Sequence, residues 1–238
     1  MRRAAVLVAA LVVAGCSESV RNRVGFWWSD LRGGYSVEER LTQYGPGVVQ
    51  RMQWYFGNAG VTYPPREVAF LAFKDRGDVE LYGRNDPAAT WRFIKRYPVH
   101  AASGHLGPKL VEGDAQVPEG IYSVALLNPN SRYHVSLRVS YPNEFDLQMA
   151  AADGRDRLGG DIMIHGDHRS IGCLAMGNEV AEELFVLAAL AATQPPQIII
   201  APTDFRISES GALPGEPIWT PVLYGALRRA LQEFPPPK

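Results

Sequence analysis

The sequence predicts a mainly β fold with peripheral helices, of the α+β class, and three observations carry that expectation. Short apolar runs recur between Glu67 and Ala201, each bounded by Gly, Pro, Asn or Asp. One stretch alternates, with His134, Ser136 and Arg138 set against Val135, Leu137 and Val139, the pattern of a sheet with one wet face. Helical spacing is confined to the two flanks and one late segment. At 238 residues, 46% hydrophobic and 21% charged, the chain can bury the core of one moderate domain with extensions. Its net charge of −1 argues against non-specific nucleic-acid binding, which needs a basic face to displace counterions from phosphates.

Taken in order, Arg2 and Arg3 precede an apolar run from Ala4 to Val13, too short to span a bilayer and suited to the core of a secretory signal. Val13-Ala14-Gly15-Cys16 resembles a lipobox, so residues 1–15 are expected to be a lipoprotein signal peptide and Cys16 the acylated residue that holds the chain to a membrane. Residues 16–34 read as a tether, and Ser17 after the cysteine favours the outer membrane by resemblance to known sorting behaviour. A helical segment at 35–65 follows. Ser36 and Glu39 form a capping-box pattern, and Pro46 suits the first turn of a second helix carrying Val48, Met52, Tyr55 and Phe56.

The β domain is expected at 66–206. Its strands are placed at Val68–Phe73 and Val79–Tyr82, paired as a hairpin, then Tyr97–Ala101, Gly120–Leu127, Tyr133–Val139, Asp161–Ile164 and Gln197–Ala201. One late helix follows Asn178, which is expected to cap it. Residues 207–238 are read as a Pro-rich segment and a helix from Val222 to Phe234.

Candidate chemistry concentrates between Asp161 and Asn178. A short strand delivers His165 beside Gly166, and Cys173 follows eight residues later with Gly172 before it, which leaves no side chain over the sulfur. With Cys16 taken by a lipid, Cys173 has no disulfide partner. In an exported compartment such a thiol is either inert and buried or used in chemistry. A cysteine nucleophile needs a base that removes its proton and returns it to a leaving group, which histidine can do. The Gly166 carbonyl, or Asp167, is placed to orient the His165 ring. His165, Asp167, His168 and Cys173 match no common zinc spacing, and metallation would quench the nucleophile, so neither metal nor cofactor is expected. Ser170 lacks the glycine-flanked elbow of a serine nucleophile and is assigned a loop hydrogen-bonding role.

His165-Gly166 followed by Ser170-Ile171-Gly172-Cys173 resembles the signature of the L,D-transpeptidase catalytic domain, or YkuD domain, family. The likeness extends to its YafK-like branch through Ser103-Gly104, Gly107-Pro108-Lys109-Leu110, Glu112-Gly113-Asp114, Gln116, Pro118-Glu119-Gly120, Asn128-Pro129, Tyr141-Pro142-Asn143 and Cys173-Leu174-Ala175-Met176. The resemblance implies a β-sandwich or barrel catalytic domain that attacks the L,D bond next to diaminopimelate in peptidoglycan stem peptides through a thioester. An amine acceptor would give transpeptidation, and water would give hydrolysis that releases murein-linked peptide or lipoprotein. It further implies Cys173 as nucleophile, His165 as base and acid, Gly166 as the orienting carbonyl, and Gly172 with Cys173 as oxyanion donors. Ser170, His168, Lys109 and Glu112 would then meet the substrate.

Two departures stand out. Ile171 and Ala175 occupy positions where the wider family often has His and Arg, so a fixed cation near the site is missing, and the loop from His165 to Cys173 is shorter than in many members, which predicts a more open site. The alternative from another class is an inactive wall-binding lipoprotein anchor, which loss of Cys173 or His165 would signal; both are present. A papain-like thiol peptidase would need the reverse order of cysteine and histidine.

Overall fold

The computed structural model describes residues 34–191, 194–208, 211 and 215–237. The expected signal peptide and nearly all of the tether, Cys16 included, lie outside the described residues. Among those described, eight strands form one mixed sheet in the order β3-β2-β1-β8-β4-β5-β6-β7, with four helices around it. The strands are β1 (Glu67–Phe73), β2 (Asp78–Arg84), β3 (Arg92–Pro98), β4 (Gly120–Asn128), β5 (Ser136–Val139), β6 (Met163–His165), β7 (Leu174–Ala175) and β8 (Gln197–Ala201). The helices are α1 (Val37–Asn58), α2 (Glu144–Ala152), α3 (Asn178–Leu190) and α4 (Thr220–Leu231). The architecture is mainly β with peripheral helices, as the sequence indicates. No helix of the described residues is long and apolar enough to cross a membrane.

The sheet is sandwiched at its β1-β2-β8 end. Alternate residues of these strands point to opposite faces. Phe70, Ala72, Leu81, Ile198 and Ile200 join Met52 and Phe56 of α1 and Leu184 and Leu187 of α3 on one side. Leu71, Phe73, Tyr82 and Ile199 meet Leu223, Tyr224 and Leu227 of α4 and the trailing Phe234 on the other. Glu183 of α3 stitches the first layer together. Its buried carboxylate takes Arg51 of α1 at 2.8 Å, Lys95 of β3 at 3.1 Å and the Tyr97 hydroxyl at 2.8 Å.

Several elements depart from the sequence expectation. The Ser36–Glu39 capping box is present, but α1 runs unbroken through Pro46 as one helix, because Val37, Leu41, Val48, Met52 and Phe56 all bury on one side. Strand β3 begins at Arg92 rather than Tyr97 and ends at Pro98; of the later residues, Ala101 makes one bridge to Ala175. Left-handed backbone at His134 (φ +78°) and Asp161 (φ +54°) cannot continue an extended strand, so β5 starts at Ser136 and β6 at Met163. Helix α2, capped by Asn143 and Asp146, and the two-residue β7 were not foreseen. Asn178 does not cap α3; the N-cap is Gly177, and the Asn178 side chain reaches back to accept the Asp167 N–H at 2.9 Å.

Candidate active site at the short-stranded edge

Strand register places His165 and Cys173 on one face of neighbouring strands. In the antiparallel pair β5–β6, Ser136 faces His165 and Arg138 faces Met163. In the parallel pair β6–β7, Ile164 faces Leu174 and His165 faces Ala175, so Cys173, one residue before β7, falls opposite Met163. Ser136, Arg138, Met163, His165, Cys173 and Ala175 therefore share one sheet face, while Leu137, Ile164 and Leu174 fill the core on the other. His165 and Cys173 sit one two-residue step apart on neighbouring strands, about 8 Å between Cα positions.

His165 is 2% exposed, and its Nδ1 lies 2.5 Å from the Gly166 carbonyl oxygen. A carbonyl can only accept, so Nδ1 carries the hydrogen and Nε2 of the neutral ring is left as the basic nitrogen. The Tyr133 ring stacks on the imidazole at 4.7 Å and 27°. Gly166 is required where it stands. A Cβ there would lie 2.5 Å from Asn178 Oδ1 and 2.8 Å from the Tyr133 carbonyl oxygen.

The Cys173 thiol donates to the Asp161 carbonyl at 3.7 Å. Burial pushes its pKa up, the Asp161 charge adds to that rise, and a hydrogen bond from the Met163 N–H opposes both. The thiol thus rests on the backbone leading into β6. Ser170 clamps the cysteine backbone, accepting its N–H at 2.9 Å and donating to its carbonyl at 2.5 Å. Ser103 accepts the Gly172 N–H at 2.6 Å and donates to the Ala115 carbonyl at 2.7 Å. Gly172 has φ +82°, which an L side chain adopts only with strain.

The remaining expected site residues fall in different places. Both N–H groups assigned to an oxyanion, those of Gly172 and Cys173, are held by hydroxyl partners in the resting site, Ser103 and Ser170. His168 is exposed and its Nδ1 lies 2.7 Å from that of His100, with the rings near parallel at 5°. Nitrogens closer than the roughly 3.4 Å thickness of a stacked ring pair place the rings edge to edge, joined by an N–H···N bond. Lys109 is turned inward. Its ammonium is buried within its own loop on Asp114 and the Val111 carbonyl. Burial alone would raise the Asp114 carboxyl, but Lys109 and the N–H groups of Val111, Gln116 and Leu110 hold it below its usual value. Glu112 is exposed and pairs with Arg157 at 3.2 Å. No group of three or more His, Cys, Asp or Glu among the described residues is placed to hold a metal ion.

Three contributors were missed from sequence. Tyr133 stacks on His165, Ser103 holds the Gly172 N–H, and Asp161 supplies both a carbonyl and a charge beside the thiol. Only Ser103 had a signal, through its place in the Ser103-Gly104 match.

Fold and geometry define the class: a mainly β domain that presents a cysteine and an oriented histidine on one sheet face near its edge. The chain belongs to the family of the L,D-transpeptidase catalytic domain (YkuD), whose family model matches residues 71–200. It is similar to the YafK proteins of Escherichia coli K12 and O157:H7, which carry the L,D-transpeptidase name, at 38% identity over 143 residues, covering 58% of this chain and 54% of each relative. The chain thus matches about half the length of these curated relatives. Among solved structures, it is similar to the helical cell shape determining protein Pgp2 of Campylobacter jejuni, with a TM-score of 0.44 and 20% identity over 64% of this chain and 55% of that one. Mycobacterium tuberculosis L,D-transpeptidase 1 matches with a TM-score of 0.32 and 14% identity over 57% and 62%.

Proposed function

We propose that this chain is a cell-envelope cysteine acyltransferase acting on peptidoglycan stem peptides at the L,D bond next to diaminopimelate. The observation that carries the reading is the commitment of His165 Nδ1 to the Gly166 carbonyl on the face that bears Cys173. It leaves Nε2 as the group that takes the thiol proton. Burial raises the thiol's pKa, which favours removal of its proton as the sulfur attacks.

The sulfur adds to the scissile carbonyl carbon, and the C=O electron pair moves to oxygen. As an anion, that oxygen competes for the Cys173 N–H more strongly than the neutral Ser170 hydroxyl does, since charge-assisted bonds are roughly twice as strong. The C–N bond then breaks, His165 returns its proton to the leaving amine, and a Cys173 thioester remains. An amine acceptor completes transpeptidation. Water completes hydrolysis and would free wall-linked peptide or lipoprotein. The proposal includes export and a lipid on Cys16, supported by the lipobox-like run at residues 13–16.

The test is mass spectrometry of muropeptides, with and without wall-linked lipoprotein peptide, after incubation with the native chain and with Cys173→Ala. Turnover is expected to fall by about 10⁴-fold or more in the variant, as when a covalent nucleophile is removed. Cross-linked or amine-exchanged products identify a transferase, and loss of the attached peptide with gain of water identifies a hydrolase. If the native chain yields neither product and no thioester, the reading fails in favour of an inactive wall-binding anchor.

A further inference from the structure

We infer that Arg138 is the specificity residue of this site, receiving a free carboxylate of the acyl-donor peptide next to the nucleophile. This rests on the acyl-enzyme reading above and adds the ligand chemistry that the site selects. Among the residues of β5, β6 and β7 that share the site face, Arg138 alone carries a permanent charge. Ala175, two residues beyond the cysteine on that face, is fully buried and offers no cation. Arg138 lies directly opposite Met163, the residue whose N–H holds the Cys173 sulfur. Its Nη2 meets Asp161 at 3.1 Å, and the Asp161 carbonyl accepts the thiol's bond. Guanidinium and thiol therefore both meet Asp161, one through its carboxylate and the other through its backbone carbonyl.

The Arg138–Asp161 pair is built to exchange. Its side chains are 42% and 79% exposed, and an ion pair in that much solvent is worth about 0–1 kcal/mol. The guanidinium remains open to solvent, and Gly160 beside it has no side chain; a Cβ there would lie 3.9 Å from Nη2. A peptide carboxylate entering there can form the two-point contact that guanidinium favours, which an exposed single contact to Asp161 does not match. Asp161 would then occupy the cation until substrate arrives.

The test compares two donors, a synthetic stem tetrapeptide with free carboxylates and the same peptide with them amidated, using the full chain. The native chain is expected to favour the free acid by about tenfold or more, mainly through KM, the range of a charge-assisted contact. In Arg138→Ala that preference should collapse to within about twofold, and Arg138→Lys should keep part of it. Asp161→Asn should strengthen the preference, because it removes the competing carboxylate. If Asp161→Asn instead weakens it as Arg138→Ala does, the pair is merely structural and the inference is wrong. A thioester that forms on Cys173 equally from both donors overturns the role of Arg138 and leaves the acyl-enzyme reading standing. If neither donor forms a thioester in the native chain, the acyl-enzyme reading falls and the role of Arg138 falls with it.

Discussion

The two ends of the sheet handle charge in opposite ways. At the β1-β2-β8 end, Glu80 is fully buried yet saturated. It accepts Arg206 at 2.7 Å, Arg96 at 2.7 Å, Arg76 at 3.0 Å and the Tyr82 hydroxyl at 3.2 Å. Arg206 also holds Asp204 at 2.6 Å and donates to the Phe234 carbonyl at 3.3 Å, tying the C-terminal tail to the sheet. Burial would raise the Glu80 carboxyl, but Arg206 and Arg96 bring it below its usual value. At the β5-β6-β7 end the strands span four, three and two residues, and the charged pair Arg138–Asp161 lies in solvent. A permanently buried charge must have every partner supplied by the fold. A charge that is to meet a substrate must be left with a partner it can exchange.

Removing the cation from each end tests that contrast most strongly. Arg206→Met leaves Glu80 and Asp204 short of their main partner in a buried setting and should lower unfolding free energy by about 3 kcal/mol or more. Arg138→Met should lower it by less than about 1 kcal/mol. Urea titration of the two variants against the native chain reads both values. Equal losses would mean that the site edge is as tightly built as the platform.

Tyr133→Ala sharpens the comparison on the side of the edge. Its half-exposed ring lies on His165 and contributes orientation rather than core, so acylation of Cys173 should slow about 2- to 10-fold, matching the worth of one aromatic contact. Thermal midpoint should hardly move. Tyr133→Phe should restore the rate, because the ring makes the contact; a Phe variant as slow as Ala would assign the role to the hydroxyl.

The same two regions differ in how much of them could be read from the sequence. Platform strands were legible because burial on both faces writes a continuous apolar run, and Gln197–Ala201 was placed without error. Strand β3 was misplaced because Arg92, Lys95 and Arg96 interrupt its run, and two of those charges are spent on Glu80 and Glu183 from distant elements. Two residues cannot show a period, so β7 was invisible. Helix α2 buries only Ala150, so it writes no apolar stripe, and its Asn143–Asp146 cap went unread. At the site, the spacing of His165 and Cys173 was legible, but the alternation at 134–139 misread the face as wet: Ser136 is 1% exposed and His134 sits in a left-handed turn outside the strand. Tyr133 on His165 and Arg138 on Asp161 depend on register and on the left-handed turn at His134, which no local pattern encodes.

The thiol itself supplies the finest test, because its surroundings make a definite statement about protonation. Burial comes first among the causes that raise its pKa, and the Asp161 charge works in the same direction by disfavouring the thiolate. Iodoacetamide labelling of Cys173 in the resting chain, followed peptide by peptide, should therefore rise with pH through a midpoint above the roughly 8.5 of a free cysteine. Asp161→Asn removes one negative charge near the sulfur and should lower that midpoint, by less than about one unit because the carboxylate is exposed and screened. The sign is fixed: losing an anion eases ionisation. A native midpoint near or below neutrality would mean that the resting site already holds a thiolate, and that the sulfur leaves the Asp161 carbonyl before substrate arrives.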